Sequence, residues 1–258
     1  MEITFNFGLE IYKVDLDKPM DLSISLKGDK DSASAWYLNP PTIEKENLPG
    51  FKSSVKDGGS TNFNHISFNP HAHVTHTECL GHITKDFYSV NRQIQDYHHA
   101  ALLITVEPKH IGEDWVIDLA QLKGRLEKRS LLKYAKALII RTLPNSPEKL
   151  TRKYDHTNPP YFCEEAMEYI VSHGIEHLLV DLPSVDKEKD GGELKAHNIF
   201  WGQKGNGPER PLASITEFIY AEDEIKDGFY LLNLQIAPIE NDASPSRPVI
   251  YPLEKIDS

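Results

Sequence analysis

Between residues 71 and 82 the chain sets His71, His73, His76, Glu78 and His82 close together, four imidazoles and a carboxylate in twelve positions. The protein has 12 histidines in 258 residues. Spread evenly, they would put about half a histidine in such a window, so the clustering asks for a local reason. Imidazole nitrogen and carboxylate oxygen are ordinary donors for zinc, manganese and iron, and these donor types leave the choice among the three open. His76, Glu78 and His82 stand at even separations, so an extended chain would turn all three to one face. On a helix, 76 and 78 would lie about 200° apart. Val74, Thr75 and Thr77 suit a strand, and Gly81 suits a close turn against the site. The competing reading is a polar, partly solvated segment whose histidines serve core hydrogen bonds.

These groups need a frame. Residues 1–26 alternate apolar and polar side chains, with 21–26 reading as a strand. Residues 27–64 are rich in Gly, Asn, Pro, Ser and Lys and read as a long irregular stretch, in which Trp36 either lines a pocket or anchors the loop. The apolar runs 100–106 and 137–141 suit buried strands, and 119–135 reads partly as helix. Apolar positions in 161–173 recur at helical spacing, and Gly174 stops that helix. It leads into a strand at 177–180 whose carboxyl end carries Asp181 and Asp186, placed either beside a metal or as turn caps. A polar loop over 202–211 precedes a short apolar segment, 214–220, that carries Glu217. A strand over 229–237, a turn over 241–245 and a last strand over 248–251 complete the chain. The alternation of strands and helices indicates an α/β fold, read here as one domain over residues 1–258.

Composition excludes some partners. With 28 basic against 39 acidic residues the net charge is -11, and no basic patch offers a nucleic-acid surface. No apolar run approaches a membrane span, and the first residues lack a signal-peptide pattern, so a cytoplasmic protein with no membrane partner is expected. Two cysteines, Cys79 and Cys163, make no disulfide framework; both read as packing, with a metal role open to Cys79 through its position. The 202–211 loop lacks a phosphate-binding signature.

Four blocks in order resemble the cyclase-like metal-dependent hydrolases that include bacterial kynurenine formamidase and isatin hydrolase: 75–82, 181–186, Ala196-His197, and Glu217 followed by 242–245. The resemblance implies a swivelling β/α/β architecture with a central barrel-like sheet flanked by helices, assembled as a homodimer or larger homo-oligomer. It implies one or two divalent ions, zinc first and manganese or iron next, held by His76, Glu78, His82 and Glu217, with His197 as the catalytic histidine. His71, His73, Thr75 and Asp181 are further candidates for a second ion or for supporting the ligands. The family's first histidine falls on Ala72, its usual Asp on Glu78 and its usual Pro on Leu80. The implied activity is hydrolysis of an amide C–N bond in a small molecule, N-formylkynurenine of tryptophan catabolism or a cyclic amide. Alternatives are a lactone hydrolase, a dehydratase, or a metal- or small-molecule-binding protein without turnover.

Overall fold

The computed structural model describes residues 1–205, 207 and 209–256. Its centre is a closed barrel built from β1 (His76–Glu78), β2 (His98–Val106), β3 (Ala137–Thr142), β4 (His177–Val180), β5 (Ser214–Glu217), β6 (Gly228–Ile236) and β7 (Ala243–Pro252). Around the barrel the order is β6, β2, β3, β4, β5, β1, β7, and β7 closes on β6. The run β2 to β5 is parallel, and the remaining pairings are antiparallel. The fold is thus the mixed α/β barrel expected.

Side-chain alternation builds two apolar layers from these strands. Ala101, Leu103, Ala137, Ile139, Leu179, Leu232, Leu234 and Ile250 fill the barrel interior. Leu102, Ile104, Leu138, Ile140, Leu178, Val180 and Ile215 face outward, against α2 (Leu119–Leu126), α3 (Glu164–Ser172) and α4 (Lys195–Phe200). Strands covered on both faces read as continuous apolar runs, which is why 100–106 and 137–141 were legible. Helix α2 begins at a reciprocal capping box, Asp118 with Gln121. Helix α3 carries Glu164 and Glu165 in its first turn and stops before Gly174, whose φ of +73° suits glycine.

Several boundaries differ from the sequence expectation. Of 21–26 only Asp21 lies in a strand, Met20–Asp21, because the Ser23 amide bonds the Asp21 carboxylate and the Ile24 amide bonds the Thr75 hydroxyl instead of a ladder. The expected helix over 161–173 starts at Glu164: Tyr161–Phe162 pairs with Val116–Ile117 and Cys163 takes the cap position. The expected turn at 241–245 enters β7 at Ala243, which pairs with Glu78. Part of the expected 202–211 loop, positions 206 and 208, lies outside the described residues. No helix among the described residues is long and apolar enough to cross a membrane.

At the amino ends of the parallel strands, burial makes stability depend on pH. His177 lies buried against His99, ring centroids 4.1 Å apart, with Nδ1 2.9 Å from Ser214 Oγ. Burial, with help from the neighbouring positive charges, pushes its imidazolium down to about 3. The unfolded chain therefore takes up a proton below about pH 6.5 that the folded chain refuses, and stability is lost as pH falls. Between pH 6.5 and 5 the expected loss from this group is about 2 kcal/mol, at about 1.4 kcal/mol per pH unit. Urea unfolding at the two pH values, wild type against His177→Gln, measures it; equal slopes in both proteins would sink the prediction.

Candidate metal centre

At the opposite, carboxyl end of the parallel strands the histidine-rich segment folds back on itself. Asn69 caps the single turn α1 (Pro70–His73) by accepting from the His71 amide; β1 follows, and a 3-10 turn over Leu80–His82 returns the chain. The segment is therefore not one extended run, and His82 reaches the site through a turn that only glycine permits. A Cβ at Gly81 would lie 2.3 Å from the Tyr88 carbonyl oxygen. Register does the rest: Glu217 pairs with His76 across β5 and β1, so both side chains project from the same face. After Glu217 the backbone turns at Phe218 with φ +56°.

Four imidazoles meet two carboxylates there. His197 Nε2 lies 2.9 Å from Glu78 Oε1 and 3.8 Å from Glu217 Oε1. His71 Nδ1 lies 3.1 Å and His82 Nε2 3.7 Å from Glu78 Oε2, and His76 Nε2 lies 3.4 Å from Glu217 Oε2. Each ring has its other nitrogen held. The Val74 carbonyl holds His76 at 3.0 Å, Asp186 holds His197 at 2.5 Å, and Asp242 Oδ2 holds both His71 at 2.9 Å and His82 at 3.2 Å. An imidazole whose outer N–H is fixed by a carboxylate or carbonyl presents its inner lone pair in one direction, as metal-ligating histidines do.

Asp186 does two jobs. Its oxygens also accept from the Ala196 amide at 2.7 Å and the His197 amide at 3.1 Å, capping α4, whose own cap residue Leu194 supplies no side-chain bond. The helix that delivers His197 is thus tied to the carboxylate that orients it.

Charge at the site is lopsided in favour of cations. Burial disfavours ionised Glu78, but His82 and His197 outweigh it and hold the carboxyl well below its usual range. Burial likewise opposes a charged His197, yet Glu78 and Asp186 raise its pKa well above that of an ordinary histidine. Hydrogen bonds from His71 and His82 lower Asp242. Two buried atoms at the centre, His76 Nε2 and Glu78 Oε2, find no hydrogen-bond partner among the described residues. Orphaned polar atoms are costly, and a divalent ion satisfies both, so the donors present fit a metal. Donor atoms within 4.8 Å of one another form the groups His71/His76/Glu78, Glu78/His82/His197 and His71/His82/Asp242.

Of the residues singled out in the sequence, His71, His76, Glu78, His82, His197 and Glu217 come together here. His73, Thr75 and Asp181 do not. His73 turns away, its Nδ1 accepting from the Asn69 amide at 3.0 Å. Thr75 spends its hydroxyl on the Ile24 amide and the Phe218 carbonyl, joining loop to strand. Asp181 binds the Lys149 ammonium at 2.7 Å and the Thr142 amide and hydroxyl at 2.8 Å, away from the cluster. Cys79 packs with Val90 and Ile94, and burial pushes its thiol up to about 11. In the sequence Asp242 reads only as part of a turn. Its sole signal was sequence position in the fourth block, since an Asp before Ala-Ser-Pro is ordinary turn chemistry.

The chain is similar to known proteins to different depths. Kynurenine formamidase of Bacillus cytotoxicus is 36% identical over 95 residues, which cover 36% of this chain and 41% of that protein's length. The chain thus matches about two fifths of that relative. An isatin hydrolase crystallised with the product analogue thioisatinate superposes with a TM-score of 0.65 at 16% identity, over 91% of this chain and 92% of the other. A protein from Bacillus stearothermophilus described as a predicted metal-dependent hydrolase gives 0.60 at 14%, over 91% and 98%. At such identities the superpositions speak for the fold alone. The sequence profile of the Cyclase family matches residues 20–187, from the first barrel-edge strand through α1, β1 and Asp186. With that profile taking in the greater part of its length, the chain belongs to the Cyclase family.

Proposed function

We propose that the protein is a divalent-metal-dependent hydrolase that cleaves an amide C–N bond in a small molecule, an aryl formamide such as N-formylkynurenine before a cyclic amide. The observation that carries this reading is the convergence of four imidazoles on Glu78 and Glu217 around two orphaned polar atoms. His76, Glu78, Glu217 and His197 are the residues that would hold the ion. A divalent ion bound there supplies Lewis acidity, polarising a carbonyl and making water more acidic.

The geometry favours exchanging the roles expected for His82 and His197. His197 is buried, with one ring nitrogen on Asp186 and the other between the two glutamates, which supports a role in holding the ion. His82 is 29% exposed at the rim, with Asp242 behind its Nδ1. In this reading His82 accepts the proton of the attacking water as the C–O bond forms at the carbonyl carbon. It returns that proton to the amine nitrogen as the C–N bond breaks, releasing a carboxylic acid and an amine. Asp242 holds the ring in the orientation both transfers need. Glu78 and Glu217, acceptors only when ionised, keep the buried imidazoles facing inward.

The test is formate release from N-formylkynurenine, and ring opening of isatin in parallel, by protein supplied with zinc, manganese or iron. Activity that disappears in His82→Ala, while ion content stays at the wild-type level, supports the assignment. Inactivity with all three ions on both substrates overturns it. The same proposal includes a homo-oligomer, which light scattering reads directly.

A further inference from the structure

Ala72, at the position where the resemblance puts a histidine, is fully buried and offers no donor. Its neighbour His71 occupies the site instead. The turn that carries it is fixed from three directions: Asn69 caps it, the Ala35 amide bonds the Ala72 carbonyl at 3.0 Å, and Trp36 Nε1 donates to the His71 carbonyl at 3.1 Å. The ring stacks on His82 with centroids 4.3 Å apart and planes at 27°.

The hydrogen-bond logic of this ring is restrictive. Asp242 is an acceptor when ionised, so His71 Nε2, 2.9 Å away, carries the proton. His71 Nδ1, the ring's other nitrogen, lies 3.1 Å from Glu78 Oε2, a buried oxygen with no hydrogen-bond partner among the described residues. An ion shared between the two atoms would give both a partner in that position. Two donors each about 2.1 Å from one ion at a tetrahedral angle sit about 3.4 Å apart, close to the separation here. The third donor of the set is His76 Nε2, the orphaned atom.

We infer that His71 is a metal ligand of this chain, supplying through Nδ1 the imidazole that Ala72 lacks, and that Asp242 is the residue that positions it. The inference rests on the metal-dependent reading above and adds a donor to it from an adjacent sequence position. Asp242 holds two stacked rings through one oxygen, so a single carboxylate orients both the ligand His71 and the proton carrier His82.

Cobalt(II) titration of chelator-treated protein, followed by visible absorption and by calorimetry, decides it. Wild type is expected to bind cobalt with a d–d spectrum. His71→Ala is expected to bind at least tenfold more weakly with a displaced band, and Asp242→Asn about 10–100-fold more weakly, the range for removing the outer partner of a ligating histidine. His73→Ala, turned from the site, is expected to titrate as wild type. His71→Asn accompanies the alanine variant, and circular dichroism confirms that each is folded. If His71→Ala and His71→Asn both titrate as wild type while His76→Ala loses cobalt, the inference is overturned and the metal reading stands. If wild type itself binds no cobalt, the metal reading fails and takes the inference with it.

Discussion

Glu78→Ala is expected to lose ion binding and turnover together and to destabilise the fold by about 3–5 kcal/mol, the cost of removing one member of a buried charged pair. The carboxylate is fully buried and stands within 4 Å of three of the four imidazoles. Its removal leaves His197, buried and drawn to the charged form, with Asp186 as its nearest acidic partner. The outer partners of ligating histidines are worth about 10–100-fold in metal affinity, and loss of the shared carboxylate exceeds that. Calorimetric titration with zinc and thermal unfolding in chelator measure the two effects separately. Glu78→Gln keeps the side-chain volume and loses the charge, so it is expected to reproduce the metal defect. Tight zinc binding by Glu78→Gln would remove Glu78 from the centre.

Asp181→Ala is expected to give the opposite pattern: an equally large stability loss with ion content unchanged. Asp181 and Lys149 form an ion pair at 2.7 Å with side chains 0% and 4% exposed. The ammonium also reaches the Thr142 carbonyl at 2.6 Å, and the Asp181 oxygens take the Thr142 amide and hydroxyl. This cluster fastens the end of β3 to the end of β4. Breaking it leaves an ammonium buried without its counter-charge, about 3–5 kcal/mol, or a fall in Tm of about 6–20 °C at 2–4 °C per kcal/mol. Differential scanning calorimetry and metal analysis of the same preparation provide the check. Loss of metal at unchanged Tm would return Asp181 to the ion site. A Lys149→Met, Asp181→Leu double variant is expected to recover part of the loss, since it removes both charges but strands the Thr142 amide.

These two acidic residues show how far sequence reading carries. Each is an Asp or Glu at a strand end, and nothing in local composition separates a ligand from a structural ion pair. Local signal was strong where the chemistry is crowded into one segment, as in 71–82, and where strands covered on both faces become apolar runs, as in β2 and β3. It failed at 21–26 and at Tyr161–Phe162, where hydrogen-bond partners from distant segments decided which residues joined a strand. His71 and His73 flank Ala72 symmetrically in sequence, and only the Asn69 cap and the one-turn helix α1 choose between them. Asp242 was hidden because it lies 160 residues from His82 and looks like turn chemistry.

The sequence by itself determined the crowding of imidazoles and a carboxylate in 71–82, the barrel's buried strands and the family, because residue types, apolar periodicity and motif order survive in a linear text. Tertiary structure alone decided which of these side chains face one another. Pairing of β5 with β1 sets Glu217 beside His76, capping of α4 by Asp186 buries His197, and entry into β7 at Ala243 brings Asp242 behind His71 and His82. Each of these depends on a contact between segments far apart in the chain, where register and burial are set by packing rather than by neighbouring residues.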